Sequence, residues 1–293
     1  MSCTRSALRP DLLLGLLLAV WACVQTASAR PLKVATWNMD WLTLRPDGDP
    51  DLPSRRPKRG QADFEGFARL IRHLDADLIA LQETDGSAPL RKIFPPGEYA
   101  IVLSRAPIVQ NVALVLRHPW HAIAHEELTA LGQNPSPGGH RLRPGLDLVV
   151  TDGKTTLRVL VVHLKSGCWE RRWSERGHAC PVLRQQIALL SDWIAEREDE
   201  DVPYLLLGDF NRRLTLADPY YAAMIGGYAP VLATAGFASP CRGGEYFIDH
   251  VIIGGSARSW LLPDSLRVMT QNDKAPGLAL SDHCAVSVRF ATP

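Results

Sequence analysis

Beyond its first 29 residues the sequence contains no apolar stretch long enough to span a bilayer, and it contains no Cys-x-x-Cys pair. The first absence argues against a membrane-spanning domain, and the second disfavours a zinc site built on cysteines. There is also almost no excess of charge, since 32 lysines and arginines accompany 31 acidic residues. Such balance disfavours a protein that coats nucleic acid or anionic membrane by bulk charge, so any grip on a polyanion must be local.

The first 29 residues have the three-part layout of a secretory signal peptide. Arg5 and Arg9 precede an apolar run from Leu12 to Val24, and the small residues Ala27-Ser28-Ala29 follow it. The run is too short to cross a bilayer, and small residues are typical of a cleavage site. We therefore expect residues 1–29 to be removed, residues 30–293 to form one domain, and the mature protein to be secreted or periplasmic.

Four cysteines remain after such cleavage, namely Cys168, Cys180, Cys241 and Cys284. An even number of cysteines in an exported chain favours disulfides, for which four cysteines allow three pairings. We expect Cys168 to pair with Cys180, and Cys241 with Cys284. Metal binding by these cysteines is the less favoured alternative.

The stretch Tyr204–Asn211 combines a buried strand with polar residues at its end. Three leucines follow Pro203, and Gly208, Asp209 and Asn211 come directly after them. In open α/β sheets the ligand crevice lies beyond the carboxyl ends of the strands, so Asp209 and Asn211 would face a substrate, and Gly208 would let the backbone approach closely. For this motif taken alone, a simple Asp-Asn turn is the alternative.

Several other apolar runs are flanked by the same kinds of polar residue. Runs at residues 33–38 and 77–83 end in amide and carboxylate side chains, the run at 159–163 ends in a histidine, and two C-terminal segments place Asp beside His. Because these residues all flank strand ends, we expect them to form one site. They are Asn38, Asp40, Glu83, His163, Asp249, Asp282 and His283.

Hydrophobic periodicity predicts alternating strands and helices. Residues 63–74 and 184–196 have apolar side chains at helical spacing, and each helix leads into a strand that ends in a carboxylate. Further strands are predicted at residues 99–103, 112–117, 146–150, 157–163, 247–253 and 284–290, with a hairpin turn at Asp152-Gly153. This order predicts an α/β layered sandwich, two mixed β-sheets packed together and flanked by helices.

Two irregular segments carry further candidates. Residues 45–60 are rich in Pro, Asp and Arg and predict a surface loop whose basic residues either contact phosphate or are simply solvated. Residues 214–244 contain tyrosines that either shape the rim of the site or pack in the core. The residues concerned are Arg55, Arg56, Lys58, Arg59, Tyr220, Tyr221 and Tyr228.

Five motifs, in this order, resemble the endonuclease/exonuclease/phosphatase superfamily. They are Thr36-Trp-Asn-Met-Asp40, Leu81-Gln-Glu83, Gly208-Asp-Phe-Asn211, Ile248-Asp249 and Ser281-Asp-His283. The superfamily includes secreted deoxyribonucleases, abasic-site endonucleases, sphingomyelinases and inositol-phosphate phosphatases. The resemblance covers essentially the whole chain after the leader. It implies a four-layered sandwich and metal-dependent hydrolysis of phosphoester bonds.

The resemblance also implies roles for individual residues. Asn38, Glu83 and Asp282 resemble the ligands of a divalent metal, with Asp40 as a helper, and oxygen ligands of this kind suit Mg²⁺, with Mn²⁺ or Ca²⁺ as substitutes. The implied catalytic group contains a base, Asp209, an orienting amide, Asn211, an imidazole with its carboxylate partner, His283 and Asp249, and a further histidine, His163.

Other polar residues near the predicted site have either a binding or a structural role. Lys165 follows His163 and would either contact a phosphate as a point charge or face solvent, and Arg105, Asn111 and Arg184 are similar candidates for substrate binding. His250 follows Asp249 in a strand, so its side chain is expected on the opposite face, in a structural role.

The function that these features favour is that of an exported, magnesium-dependent phosphodiesterase, a hydrolase acting on nucleic acid as a nuclease or endonuclease. A sphingomyelinase-like lipid phosphodiesterase or a small-molecule phosphatase is the alternative, although no hydrophobic hairpin or cationic amphipathic helix predicts docking on a membrane. A binding module that has lost its chemistry is disfavoured because each catalytic position carries a competent residue. We expect a monomer without stable membrane association.

Overall fold

The computed structural model describes residues 30–134, 140–241, 245–271 and 280–293, and their strands form two six-stranded sheets. The predicted signal peptide lies outside the described residues. Within the described ranges, no helix combines the length and the apolar composition that crossing a membrane would require.

The first sheet has the strand order β11-β12-β1-β2-β4-β3. The two central neighbours β1 and β2 run parallel, and the other pairs are antiparallel. Its strands are β1 (Leu32–Leu42), β2 (Leu78–Thr84), β3 (Tyr99–Leu103), β4 (Asn111–Arg117), β11 (Arg267–Met269) and β12 (Ala285–Phe290).

The second sheet has the order β5-β6-β7-β8-β10-β9, in which only β7 and β8 are parallel neighbours. The predicted hairpin is confirmed, because β6 and β7 pair antiparallel on either side of Asp152-Gly153. The strands are β5 (His121–Leu128), β6 (Gly145–Thr151), β7 (Thr156–His163), β8 (Tyr204–Asp209), β9 (Val231–Leu232) and β10 (Asp249–Gly254).

Helices cover the outer face of each sheet, and the predicted four-layered sandwich is confirmed. Buried side chains from both sheets form a central core, while two outer cores lie beneath the helices. The helices are α1 (Gln61–Leu74) and α2 (Ser87–Arg91) on the first sheet, and α3 (Cys180–Asp199) and α4 (Pro219–Ile225) on the second; short 3₁₀ turns occupy Thr129–Gly132 and Gly255–Trp260.

Gly208 allows β7 and β8 to approach closely beside the strand ends. It pairs with Val162 and has a φ of +147°, and a Cβ at this position would lie 1.9 Å from the carbonyl oxygen of Val162. Any side chain would therefore push the two strands apart. Since β7 and β8 end at His163 and Asp209, this close pairing fixes the distance between those two residues.

His250 packs on the face of β10 that lies away from Asp249, as predicted, and it is fully buried. Its Nε2 donates to the carbonyl oxygen of Arg212 at 3.0 Å, and its Nδ1 accepts from the hydroxyl of Thr234 at 2.6 Å. Both bonds suit the neutral ring. Burial lowers the pKa of His250 to about 4, despite partly opposing contributions from its hydrogen bonds and from Asp249.

A pH dependence of stability follows from this buried imidazole. The pKa is about 4 in the folded protein and near 6.5 when unfolded, so the unfolded state binds more protons between these values. We expect His250 to remove about 3 kcal/mol from the free energy of unfolding as the pH falls from 7 to 4. Urea titrations across this range should show a shallower pH slope for His250→Gln, whereas His125→Gln, on the exposed strand β5, should keep the wild-type slope. Equal slopes in all three proteins would contradict the assignment.

Most of the candidate side chains in the two irregular segments make internal contacts. The Arg59 guanidinium is buried and donates to the carbonyl oxygens of Met39 and Asp40, while Lys58 pairs with Asp47 at 3.0 Å. Much of the basic loop is therefore committed to internal contacts. The tyrosines pack as well, since Tyr220 and Tyr221 of α4 are buried against the second sheet and α3, and the Tyr228 hydroxyl donates to Asp199.

Candidate active site

The polar strand ends meet at one edge of the two packed sheets. The carboxyl ends of β1 and β2 in the first sheet lie beside those of β7 and β8 in the second, because both parallel pairs point the same way. Strand β10 runs antiparallel to β8 with Asp249 opposite Asp209, so its beginning lies at the same edge. Residues far apart in the sequence thus share one site.

A cavity of about 560 Å³ opens at this edge. All five residues of the predicted catalytic group line it, and so do three of the four predicted metal ligands. The lining residues from the predictions are Asp40, Glu83, His163, Asp209, Asn211, Asp249, Asp282 and His283. Asn38 lies directly behind them and donates to two of them, Asp209 and Glu83.

Irregular backbone at the ends of β1 and β2 aims their acidic side chains at the cavity. Asp40, Trp41 and Glu83 all have positive φ values, and the pairing register shifts after Asn38 and again after Leu81. Left-handed backbone at non-glycine residues is costly and tends to occur at functional sites. In a regular strand Asn38 and Asp40 would lie on the same face in equivalent positions, whereas the irregular backbone lets Asp40 line the cavity while Asn38 stays behind it.

Asp209 lies at the centre of the arrangement. Its Oδ2 accepts from the Asn38 amide at 3.0 Å and lies 3.6 Å from Nε2 of His163 and 3.8 Å from Nε2 of His283. Its Oδ1 accepts from the backbone N–H of Asn211 at 2.8 Å. Burial raises the pKa of Asp209 to about 7, a shift that the charge of His283 opposes and that of Asp249 reinforces. A carboxylate with such a pKa is a competent base near neutral pH.

His283 and Asp249 form a tight ion pair. Nδ1 of His283 lies 2.7 Å from Oδ2 of Asp249. Burial alone would lower the pKa of His283, but the charge and hydrogen bond of Asp249, together with the charges of Asp209 and Asp282, raise it to about 10. The imidazole is therefore protonated at neutral pH. Its loop is fixed by the Ser281 hydroxyl, which donates to the carbonyl oxygen of Asn38 at 2.7 Å.

His163 contrasts with His283, since burial and the nearby cations Arg143 and His283 lower its pKa well below the ordinary value. A neutral His163 contributes a hydrogen bond to the site rather than a charge. The charge on this side comes from Arg143, a residue that the sequence analysis did not identify. Nε of Arg143 donates to Nδ1 of His163 at 3.1 Å, and its guanidinium lines the cavity close to the charges of Glu83 and Asp209.

The acidic side chains suit a divalent cation. Burial and the charges of Asp282 and Glu83 raise the pKa of Asp40 to about 6, although Arg59 opposes the shift. Carboxylates crowded in this way would be relieved by a cation, and together with the Asn38 amide they offer the oxygen donors that Mg²⁺ prefers. Among the described residues, the three acidic or histidine side chains with ligand atoms within 4.8 Å of one another are Asp209, Asp249 and His283. This trio could itself hold a metal ion, and within it Asp249 and His283 already pair with each other.

The three predicted substrate-binding residues do not line this cavity. Asn111 is tied into its own turn, accepting from Ser104 at 2.8 Å and donating to the carbonyl oxygen of Ile108 at 2.6 Å. Arg105 borders a separate surface pocket. The ammonium of Lys165 donates to the carbonyl oxygen of Ser166 at 3.2 Å. The structure therefore does not bring Asn111 or Arg105 to the site, whereas Lys165 lies close enough to Arg143 for their charges to interact.

Both expected disulfides are present. Cys168 is joined to Cys180, and Cys241 to Cys284. The first closes the loop beyond His163, and the second ties the segment before β10 to the residue that follows His283. Each disulfide thus restrains a segment that borders the cavity.

A match to the model of the Endonuclease/Exonuclease/phosphatase family extends over residues 35–283. The chain belongs to this family, and it is a metal-dependent phosphoric ester hydrolase. No curated protein matches the chain in sequence.

Solved structures share the fold at low identity. TDP2 from D. rerio, in complex with single strand DNA product, is 16% identical with a TM-score of 0.63, and the match covers 89% of this chain and 98% of that one. An endonuclease/exonuclease/phosphatase from Bacteroides vulgatus is 16% identical with a TM-score of 0.62, covering 90% and 100%. The human Nocturnin catalytic domain, with bound sulfate, is 12% identical with a TM-score of 0.60, covering 90% and 94%.

Proposed function

We propose that this protein is an exported, Mg²⁺-dependent phosphodiesterase that cleaves nucleic acid. The observation that carries the proposal is the position of Asp209, a buried carboxylate between two imidazoles at an edge rich in further carboxylates. A base, a protonated imidazole and a cluster of oxygen ligands are the components that hydrolysis of a phosphodiester needs.

Asp209 takes the proton from the attacking water. Its raised pKa makes it a stronger base than an ordinary carboxylate, and the Asn38 amide and the Asn211 backbone N–H hold both of its oxygens in place. The side-chain amide of Asn211 donates to the carbonyl oxygen of Leu164 at 3.1 Å, which fixes the turn that follows β8. Asn211 therefore positions the base.

His283 and Arg143 stabilise the negative charge that develops on the phosphorane oxygens. His283 is protonated through its pairing with Asp249 and holds a proton at Nε2 for transfer to an oxygen. Arg143 adds a permanent charge next to the neutral imidazole of His163 and near Asp209. Fixed charges placed where charge develops are a large source of catalysis.

Asn38 and Glu83, with Asp40 and Asp282, would hold the metal. When bound, the ion would supply Lewis-acid stabilisation of the phosphate oxygens. The export part of the proposal is supported by the leader-like sequence of residues 1–29 and is consistent with two disulfides, which persist in oxidising compartments. TDP2 with its single-strand DNA product supports nucleic acid as the substrate.

A substrate panel assayed with Mg²⁺ and with EDTA tests this function. The panel contains plasmid, single-stranded DNA, single-stranded RNA, sphingomyelin and a phosphomonoester. We expect EDTA-sensitive cleavage of nucleic acid, restored by excess Mg²⁺. Hydrolysis of sphingomyelin or of the monoester, with all nucleic acids left intact, would overturn the substrate assignment and identify a lipid phosphodiesterase or a small-molecule phosphatase.

A further inference from the structure

Two exposed aromatic side chains, Trp169 and Tyr246, line the catalytic cavity beyond the reacting groups. Trp169 is 51% exposed and Tyr246 is 60% exposed, although aromatic side chains of this size are usually buried. Neither contributes to the three hydrophobic cores. Their exposure leaves two flat aromatic surfaces available to a ligand in the cavity.

The two aromatic residues belong to different loops that a single arginine holds together. Arg213 donates through Nη1 to Glu170 at 2.7 Å and through Nη2 to Glu245 at 2.6 Å, and its backbone N–H donates to the carbonyl oxygen of Trp169 at 2.9 Å. Glu170 and Glu245 are the immediate neighbours of Trp169 and Tyr246. Arg213 therefore places both aromatic residues along the same wall of the cavity.

Disulfides restrain both loops next to the aromatic residues. Cys168 precedes Trp169 and is joined to Cys180, while Cys241 lies five residues before Tyr246 and is joined to Cys284, beside His283. A loop that is already restrained loses less conformational entropy when a ligand binds to it. The loops that carry Trp169 and Tyr246 are thus preorganised for binding.

The charged side chains along this wall do not favour phosphate binding. Arg213 is matched by two glutamates, so it offers little net positive charge to a polyanion. A ligand group that binds here must be recognised through its flat apolar face. In a nucleic acid that group is the base, which stacks on aromatic side chains once it is free of its neighbours.

We propose that Trp169 and Tyr246 form a base-stacking subsite, so that the enzyme prefers unpaired nucleotides in single-stranded nucleic acid over regular duplex. This inference rests on the proposed nuclease function. A paired base in a duplex cannot offer its face to the wall without first leaving the stack, which costs unstacking and unpairing free energy. Single strands avoid that cost.

The test compares Mg²⁺-dependent cleavage of single-stranded oligonucleotides that carry a base or an abasic analogue beside the scissile phosphate. Removing one stacking partner should lower kcat/KM on the normal oligonucleotide by about 10- to 100-fold, mainly through KM, in both Trp169→Ala and Tyr246→Ala. The abasic oligonucleotide should be cleaved equally by wild type and variants. Trp169→Phe should restore most of the activity, and wild type should prefer single strands over duplex of the same sequence.

Phe237→Ala is the matched control, because Phe237 is 53% exposed but does not line the cavity, and its kinetics should equal those of wild type. Circular dichroism melts identify any variant that fails to fold, and the two loops provide independent variants. Equal losses on normal and abasic oligonucleotides, or no loss in either alanine variant, would overturn the stacking subsite while leaving nuclease activity intact. Absence of cleavage by wild type would instead overturn the proposed function.

Discussion

Replacing Asp209 by asparagine is expected to lower kcat for phosphodiester hydrolysis by about 10²- to 10⁴-fold, the usual contribution of a general base. Asparagine has almost the same shape, and its one side-chain oxygen can still accept from the Asn211 backbone N–H, so the substitution removes the hydrogen bond from the Asn38 amide but should leave the fold of the site in place. It cannot take a proton from water. KM should therefore change little, and steady-state kinetics with saturating Mg²⁺ would show the loss in kcat.

Asp192→Asn provides the matched control for this substitution. Asp192 is exposed on α3 and lies outside the catalytic cavity, so its replacement should leave kcat and KM unchanged. If Asp209→Asn kept a wild-type kcat, another group would have to act as the base. A loss that appeared only in KM would assign Asp209 to substrate binding instead.

The second large effect is expected at the ion pair of His283 and Asp249. His283→Gln removes the cationic proton donor and should lower kcat by about 10²- to 10⁴-fold. Asp249→Asn should also lower kcat, because it removes the partner that keeps His283 protonated. Since both residues act through one imidazole, the kcat of the double variant should lie within a few-fold of the kcat of His283→Gln.

The pKa of His283 gives an independent measurement on the same pair. In the protein held in EDTA, NMR titration of the wild-type imidazole should give a value of about 10, and Asp249→Asn should lower it towards the ordinary value. Additive losses in the double variant, or an unchanged pKa in Asp249→Asn, would show that Asp249 does not act through His283.

Much of the site could be predicted because it lies at strand ends. The runs before Asn38, Glu83 and Asp209 are apolar enough to be buried, and polar side chains that directly follow buried strands must face the edge of the sheet. These side chains come together because the parallel pairs β1/β2 and β7/β8 point the same way in the two packed sheets. The bulges that turn Asp40 and Glu83 into the cavity depend on local backbone geometry, which the alternation of the strands does not reveal.

Arg143 was missed because it lies before a strand rather than after one. The hairpin at Asp152-Gly153 nevertheless contains the signal that would have found it. That turn pairs Leu146 with Val161, so the residues just before β6 lie beside the end of β7, where His163 is located. Counting outward from a predicted hairpin would therefore have placed Arg143 in the site.

Charged residues in loops were the least predictable part. Arg105 and Asn111 are predicted as substrate contacts, but Arg105 borders a separate pocket and the turn between β3 and β4 uses Asn111 for its own hydrogen bonds, whereas the neighbouring Gln110 lines the cavity. The sequence shows which loops are polar, whereas the partner of each side chain depends on tertiary contacts. Strand β5 escaped prediction for a related reason, since its side chains are mostly exposed and show no apolar alternation.

Binding of Mn²⁺, followed by electron paramagnetic resonance, tests most directly whether the carboxylates at the strand ends hold a catalytic metal. Mn²⁺ is a spectroscopic substitute for Mg²⁺ that uses the same oxygen ligands. We expect saturable Mn²⁺ binding by the wild-type protein. Glu83→Gln should weaken the Mn²⁺ affinity at least tenfold and should lower the phosphodiesterase activity as well. Glu98→Gln, whose side chain is exposed elsewhere on the surface, should leave both unchanged. Mn²⁺ binding and activity that both survived Glu83→Gln unchanged would contradict this account of the site.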